Sequence, residues 1–531
     1  MHSRERLVVG CALLATLGAF AADVAVAQAT PAAQPDVGAL LKRIDEQEQR
    51  IRQLEDKLET LTQQSGNAHA QVSSNSQSRG EAQAAPAAAA AGTSQQAASG
   101  ASAAASQQGS SGASAALTAD SAVSPNAAVG NLSPQGIYLQ STDGANIIRF
   151  RGNLAVDGRW YTDAATPESA DSWLLRKARP YFEGTLDNIY DFRFMPDFAN
   201  GKSILVEAYA AARLAPWFVV QAGKFKAPVG LERLQPDQYD RFIELGLPSS
   251  IVPNRNLGLQ IAGDIGAGLF GYAIGAFDGT TDGQSTDSNP TPDASPTGRP
   301  DYEARIFAQP FARFANPYLR GFGIGIAGTY ANFVATASNP LVPSYKTPGQ
   351  LAMFSYRTGT TATYANGQQV RWSPQLYYYA GSFGLIAEYA ESSQDVARRI
   401  SSSLKRTGTM DNSAWQVSLG YFLTGEVAAY NAFSPNTTFK PGTRGWGAWE
   451  IVARYHELTV DEAAFMGGAD SFADPATAAR TARALGAGIN WYLNRNLRWM
   501  LDFEHTRFEL GAKNGNRHPE DALFTQFQLT F

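Results

Sequence analysis

Three observations predict an all-β chain: a sixteen-stranded antiparallel transmembrane β-barrel behind an N-terminal coiled coil and a disordered, low-complexity linker. Apolar and polar residues alternate with period two from about residue 137 onward. The alternating segments run longer than ordinary globular strands, whose usual length is about 5–6 residues. Charge is scarce: of 531 residues, 44% are hydrophobic, 11% aromatic and 17% charged, against about a quarter charged in a typical globular chain. The mean hydropathy of −0.24 argues against a polytopic helical membrane protein. The net charge of −5 gives no basic footprint for nucleic acid.

The elements follow in chain order. Residues 1–27 read as a secretory signal peptide. Arg4 and Arg6 supply the positive start, an apolar run extends from Leu7 to about Ala22, and Ala25-Val26-Ala27 offers small residues for cleavage before Gln28. A short membrane anchor is the alternative. The single cysteine, Cys11, lies inside this segment. The mature chain therefore has no thiol, which excludes disulfides, thiolate metal sites and cysteine catalysis. Beyond the signal no run of about 18 apolar residues occurs, so no transmembrane helix is expected.

Residues 28–64 form a coiled-coil oligomerisation segment. Its a/d series is Val37, Leu40, Ile44, Gln47, Ile51, Leu54, Leu58 and Leu61, apolar except for Gln47. Basic Arg43 and Arg50 at g precede acidic Glu48 and Glu55 at e, the arrangement that pairs neighbouring chains in a parallel bundle. A solitary amphipathic helix is the alternative. Residues 65–136 are mostly Ala, Ser, Gln and Gly, which cannot bury enough surface to offset their ordering entropy, and read as a flexible linker.

Residues 137–531 carry about sixteen alternating segments. In 147–160 the even positions Ile148, Phe150, Leu154, Val156 and Trp160 are apolar, and the odd ones include Arg149, Arg151, Asn153, Asp157 and Arg159. The pattern recurs through 189–198, 203–214, 257–264, 446–457 and 497–504. Transmembrane barrels need about 9–11 tilted residues per crossing, apolar toward lipid and polar toward the lumen. Trp160, Trp173, Tyr181, Trp217, Trp446, Trp491 and Tyr492 fall near strand ends and suit interfacial girdles. A large soluble β-sandwich is the alternative, but no second apolar face is available to pack against. The last segment alternates Leu523, Thr525, Phe527, Leu529 and Phe531, and a terminal Phe resembles the signal read by the outer-membrane barrel assembly machinery.

Sixteen strands leave an aqueous channel. Strand parity places Arg149, Arg151, Arg159, Lys177, Arg179, Arg193, Arg213, Arg305 and Arg454 on the face opposite the apolar one. The same parity places Asp157, Asp191, Asp197, Glu207, Asp264, Glu388 and Glu450 there. Arginine offers a rigid donor fork for oxyanions, and rings of Arg or Lys serve anion pores. Alternatively the two signs pair off along the wall. The Pro- and charge-rich stretch 227–256 is expected to fold inward and narrow the pore, with a short helix through Tyr239 to Leu245. Lys224, Lys226, Arg233, Arg241 and Arg255 flank or lie in it and are the expected anion-binding constriction.

These residues resemble the phosphate-selective porin O/P family. The matching stretches are Leu175-Arg176-Lys177-Ala178-Arg179, Gly223-Lys224-Phe225 with Gly230-Leu231-Glu232-Arg233, Leu423-Thr424-Gly425-Glu426, Gly447-Ala448-Trp449-Glu450 and Gly488-Ile489-Asn490-Trp491-Tyr492. They spread over the barrel and leave out the tether. The resemblance implies a homotrimer of sixteen-stranded barrels with lumenal basic residues guiding phosphate or polyphosphate. It matches Arg176 and Lys177 to the family's paired basic residues, Asp197 to its lumenal Asp and Arg233 to its constriction residue. Two departures, Ile243-Glu244-Leu245 in the constriction and Asn153 on the first strand, imply a retuned anion site.

Other chemistry lacks context. Gly266-x-Gly268-x-x-Gly271 and Gly323-x-Gly325-x-x-Gly328 match a dinucleotide fingerprint but lie in alternating segments with no following helix. The five His show no metal spacing. The acidic loop 278–301 reads as a solvated outer loop, with weak calcium binding as the alternative. No nucleophile–base constellation supports an enzyme, and no cofactor is expected. The expected protein is a passive porin for phosphate- or pyrophosphate-type anions in the outer membrane of a Gram-negative bacterium, with its N-terminal segment periplasmic. A general diffusion pore or a channel for another small acidic solute is the alternative. Expected partners are outer-membrane lipid, the permeating anion, further copies of the chain and the assembly machinery. Peptidoglycan or a periplasmic protein would bind through the coiled coil as an envelope tether.

Overall fold

The computed structural model describes residues 128–133, 136–162, 171–289, 295, 298–401, 403–431 and 433–531. The signal peptide, the coiled coil and nearly all of the linker lie outside the described residues. Sixteen strands form the wall: β1 Ile147–Tyr161, β2 Ser172–Leu186, β3 Tyr190–Asp197, β4 Ile204–Ala215, β5 Phe218–Lys226, β6 Arg255–Ile265, β7 Phe270–Phe277, β8 Asp301–Ala308, β9 Phe322–Val334, β10 Thr363–Ala380, β11 Phe383–Arg399, β12 Lys405–Phe422, β13 Ala448–Thr459, β14 Ala479–Tyr492, β15 Leu497–Ala512 and β16 Glu520–Thr530. Each pairs antiparallel with its sequence neighbours. β16 returns to β1, from Ala522 against Tyr161 to Thr530 against Asn153, so the sheet closes. Closure gives every wall strand two partners, which a hydrocarbon environment demands of backbone polar groups.

An N-terminal hairpin, Ala128–Ser133 and Gly136–Ser141, adds to the start of β1 beside the end of β16. It begins inside the stretch assigned from sequence to the linker. Phe531 and Gly152 exchange backbone hydrogen bonds of 3.0 and 3.1 Å, and the Phe531 ring lies where a Cβ on residue 152 would be. Glycine at 152 is therefore what lets the last ring lie flat on the first strand.

The alternation read from sequence is the alternation of the wall. Leu154, Phe194, Leu259, Ile274, Ile326, Ile451 and Phe527 are exposed on the outside, while Asp157, Glu207, Gln260, Glu388, Glu450 and Gln526 are turned inward and buried. Trp173, Trp217 and Trp446 lie exposed near strand ends. Tyr181 and Tyr492 do not join them. Tyr181 carries the Arg193 guanidinium over its ring, and Tyr492 is buried with its hydroxyl 3.0 Å from Glu450. Both share the inward parity of their strands.

One end of the barrel carries mostly short turns and the C-terminus; the other carries the long loops 227–254, 278–300, 335–362 and 460–478. Three of those loops pack together inside the wall. Val229, Leu247 and Ile251 of the first loop, Tyr345, Met353, Phe354 and Tyr356 of the third and Phe472 of the fourth form one apolar core against inward Ala, Val and Met side chains of β11–β15. A second cluster at the turn end joins Leu231 to Tyr377, Tyr379, Phe422 and Tyr492, with Tyr430 and Phe433 of the connection 423–447 packed against it.

Candidate functional site

The inward loop 227–254 contains only two short helical turns, Leu231–Leu234 and Leu247–Ser250. The expected helix through Tyr239–Leu245 is absent, and the wall supplies the reason. Helical bonds would need the backbone groups that wall side chains take instead. Asn490 donates to the Arg241 carbonyl (2.9 Å), Arg454 to that of Glu244 (2.9 Å), and Arg498 to those of Asp240 (2.7 Å) and Asp237 (2.9 Å). Wall acceptors take the loop N–H groups: Glu388 those of Leu231 (2.7 Å) and Glu232 (3.3 Å), Asp502 that of Ile243 (2.7 Å), and His456 Nδ1 that of Leu247 (3.1 Å). Irregular backbone inside a barrel is tolerable because such partners satisfy it.

This docking removes several expected site residues from the open lumen. Arg454 is 1% exposed, covered by the Phe242 ring at 4.1 Å and ion-paired to Glu504. Arg241 lies across the facing pair Gly384 and Gly420, 3.3 Å from Glu450, where any side chain at either glycine would collide with it. Arg233 donates to the Ser249 carbonyl within the loop. Burial, with Arg255 nearby, lowers its guanidinium to about 10. Lys224 falls between the inward positions 223 and 225 and meets Asp287 of the loop after β7. The carboxylates Glu388 and Glu450, read from sequence as lumenal, likewise hold the inward loop and its Arg241.

Most of the remaining basic residues keep to the inner face, but with acidic partners. A chain of ion pairs runs down the wall: Arg255–Glu207 (3.0 Å), Glu207–Arg193 (3.0 Å), Arg193–Glu183 (2.7 Å) and Glu183–Arg151 (3.0 Å). Arg213 meets Asp191 at 2.8 Å. Glu244 of the loop takes Arg159 at 2.6 Å and Arg176 at 2.9 Å. Asp237 takes Lys177 (3.0 Å), Arg179 (2.7 Å) and Lys226 (3.5 Å). Asp197 pairs with Arg179 at 2.7 Å and accepts the N–H groups of Ala178 and Ala199. Arg176 enters the lumen beside Lys177 because a β-bulge inserts it between Leu175, opposite Val156, and Lys177, opposite Ala155.

A cavity of about 540 Å³ stays open between the loop and the wall β3–β8, bordered by Arg193, Glu207, Tyr209, Lys226, Asp264 and Arg305, with Pro228, Leu234 and Pro236 on the loop side. A smaller space of about 250 Å³ toward the turn end shares Tyr209, Val219 and Gln221 with it and adds Arg149 and Arg213. Arg305 has no carboxylate within ion-pair distance among the described residues. Its Nε donates to Gln375 (3.0 Å), and its guanidinium lies 4.5 Å from the Phe307 ring centre. Arg149 is likewise without a carboxylate partner among the described residues.

Sequence reasoning placed acids of the wall in the lumen but missed those of the inward loop as partners of its cations. Asp237 and Glu244 come from the loop, and their partners on β1 and β2 lie 58 to 85 positions away, whereas Lys226 on β5 is 11 positions from Asp237. It also missed the connection 423–447, whose Tyr430 hydroxyl donates to the Leu231 carbonyl at 2.5 Å and whose carbonyl accepts from Gln235 at 2.8 Å. In the described part of the acidic loop, residues 278–289, the central carboxylate is turned into the protein. Asp282 accepts from Arg371 (2.7 Å), Gln369 (2.9 Å), Ser392 (3.0 Å) and Tyr345 (2.8 Å) in a buried network, and no cluster of three or more metal-ligating side chains occurs among the described residues.

The chain is similar to several known proteins. A curated relative, Porin O of Pseudomonas aeruginosa, is 24% identical over 164 residues, covering 30% of this chain; the chain spans about a third (35%) of that relative's length. Among solved structures, the outer membrane channel DcaP of Acinetobacter baumannii aligns with 74% of this chain and 99% of its own at 9% identity and a TM-score of 0.45. An anion-selective porin from Comamonas acidovorans aligns with 73% of this chain and 100% of its own at 11% identity and a TM-score of 0.44. The family model described as phosphate-selective porin O and P matches residues 148–531, and the chain, whose closed wall spans the same residues, belongs to that family.

Proposed function

We propose that the protein is a passive outer-membrane pore for small anions, with phosphate-type oxyanions as its solutes. Family membership supports the pore. Arg305 supports the sign of the solute, because it is the one cation bordering the larger cavity without a carboxylate partner among the described residues. Paired cations present little net field to a passing ion, whereas a unit charge about 6 Å from a solute in water contributes about 0.7 kcal/mol, roughly a factor of three. Reversal potentials across planar bilayers in a salt gradient test this. The wild type should prefer anions, Arg305→Ala should reduce the anion-to-cation permeability ratio about tenfold, since the anion loses its attraction and the cation its repulsion, and millimolar phosphate should block chloride current. Cation preference in the wild type would sink the reading.

The apolar edge made by Val219, Phe225, Pro228 and Leu234 favours a second solute class, a small organic acid with its carboxylate toward Arg305. Comparing block by phosphate, pyrophosphate and organic carboxylates separates the two. In the membrane the turn end with the C-terminus faces the periplasm, as short turns do in outer-membrane barrels. Further copies of the chain complete a homotrimer, and the alternating final strand ending in Phe531 serves recognition by the assembly machinery. An envelope-tethering role for the coiled coil is tested by deleting residues 28–130: unchanged envelope integrity with intact anion flux removes it.

A further inference from the structure

We propose that Asp264 and Arg305 form a two-ended site for a short zwitterionic peptide, with the ammonium at Asp264 and the carboxylate at Arg305. The inference rests on the pore reading and on Arg305 as its free cation, and it names a further solute class. Both side chains border the larger cavity. The other charged groups there are taken: Arg193 and Glu207 by each other at 3.0 Å, and Lys226 by Asp237 at 3.5 Å. Asp264 has no cation within ion-pair distance among the described residues, just as Arg305 has no carboxylate. The register sets their spacing. Asp264 on β6 stands opposite Gly271 on β7, which stands opposite Phe307 on β8; Arg305 is two residues back along β8, opposite Ala273. Two strand spacings of about 4.8 Å and two residues of about 3.4 Å separate the backbones by roughly 12 Å. Between them lie Ala262, Ala273 and Gly271, whose side chains are a methyl group or less. A Cβ on residue 271 would lie 3.1 Å from Asp264 Oδ1, so glycine there leaves the carboxylate its place. The Arg305 guanidinium spends only its Nε on Gln375 and rests 4.5 Å from the Phe307 ring centre, which leaves its terminal nitrogens for a solute. Three extended residues span about 10 Å, so a tripeptide reaches both charges, whereas phosphate occupies one end. Gln260 borders the same cavity, is 9% exposed, and has its amide oxygen without a partner among the described residues; it is the acceptor for a peptide N–H. Val219, Phe225 and Leu234 give the solute's side chains an apolar edge.

The test is block of chloride current through the purified protein by trialanine, N-acetyltrialanine and trialanine amide. The acetyl form lacks the ammonium, and the amide lacks the carboxylate. Trialanine should block the wild type. The ratio of half-blocking concentrations, N-acetyltrialanine over trialanine, should fall about tenfold in Asp264→Asn, the factor that one charge-assisted hydrogen bond supplies. The ratio of amide over trialanine should fall by a similar factor in Arg305→Gln, and Asp264→Glu should keep both ratios. Gly271→Val, which crowds the Asp264 carboxylate, replaces Asp264→Asn if the latter does not assemble. A wild type that prefers anions but is not blocked by trialanine overturns this proposal and leaves the anion pore standing. An acetyl-to-free ratio that Asp264→Asn and Gly271→Val both leave unchanged also overturns it, because the ammonium would then bind elsewhere. Cation preference in the wild type overturns the parent reading instead.

Discussion

Burial and the neighbouring Asp237 charge push the loop carboxylate Asp240 up to about 7, while Lys177, Lys226 and Arg498 pull the other way. Its folded-state value lies above the unfolded one near 3.9. The ionised form is therefore disfavoured by docking of the loop: the penalty is absent in acid and is imposed as pH rises through about 7. Taking up the proton also removes one negative charge beside Lys177 and Lys226. Anion preference should accordingly rise as pH falls from 8 to 6, and Asp240→Asn should hold it flat near the acid value; bilayer reversal potentials at the two pH values check this. Such behaviour could not be read from the sequence, where Asp237 and Asp240 are two similar acids in a Pro-rich stretch. Strand parity does put Arg151, Arg159, Lys177 and Arg193 on the inner face, where they stand. It fails for Arg176, because a single inserted residue resets the count, and it says nothing about which acid each cation will meet.

The inward loop shows how an element without regular structure is held at membrane depth. Each anchor replaces a helical or sheet hydrogen bond with a wall side chain. Glu388 alone takes two loop N–H groups, those of Leu231 and Glu232. Glu388→Leu strands both, at about 1–3 kcal/mol each. The loop should then undock, with larger, noisier single-channel conductance and faster proteolytic cutting between residues 227 and 254. Unchanged conductance and cutting would show that the apolar packing of Leu231, Leu247 and Ile251 suffices. The strands were legible because alternation is local. The loop was half legible: proline, charge and length announce an inward fold, but its partners lie up to 261 positions away. The helical pattern of Tyr239–Leu245 was misleading because its apolar side chains, among them buried Phe242, face the wall while their backbone bonds to it.

At the scale of the whole molecule the wall is uneven. β3, β7 and β8 have 8 residues each, while β10, β11 and β12 have 18, 17 and 18. Eight residues extend about 26 Å along the strand, or roughly 20 Å of height at a tilt near 40°, below the roughly 25 Å apolar band of an outer-membrane barrel. The low arc β7–β8, like β3, therefore covers the hydrocarbon poorly by itself, although Ile274 and Ile306 on it are 57% and 48% exposed. Alternation revealed how many strands there are but not their heights, because Gly- and Ala-rich stretches such as 271–276 keep the pattern whatever their length. A second and third copy packed against this low arc would bury those isoleucines and close the gap in height. Ile274→Lys combined with Ile306→Lys should then convert the oligomer to monomers, measured as mass by light scattering in detergent. Val370→Lys on the tall arc should cost about 2–4 kcal/mol of barrel stability if it lies near the midplane and leave the oligomer whole. An oligomer that survives the double substitution, and dissociates on deletion of residues 28–130, would transfer the assembly from the wall to the coiled coil.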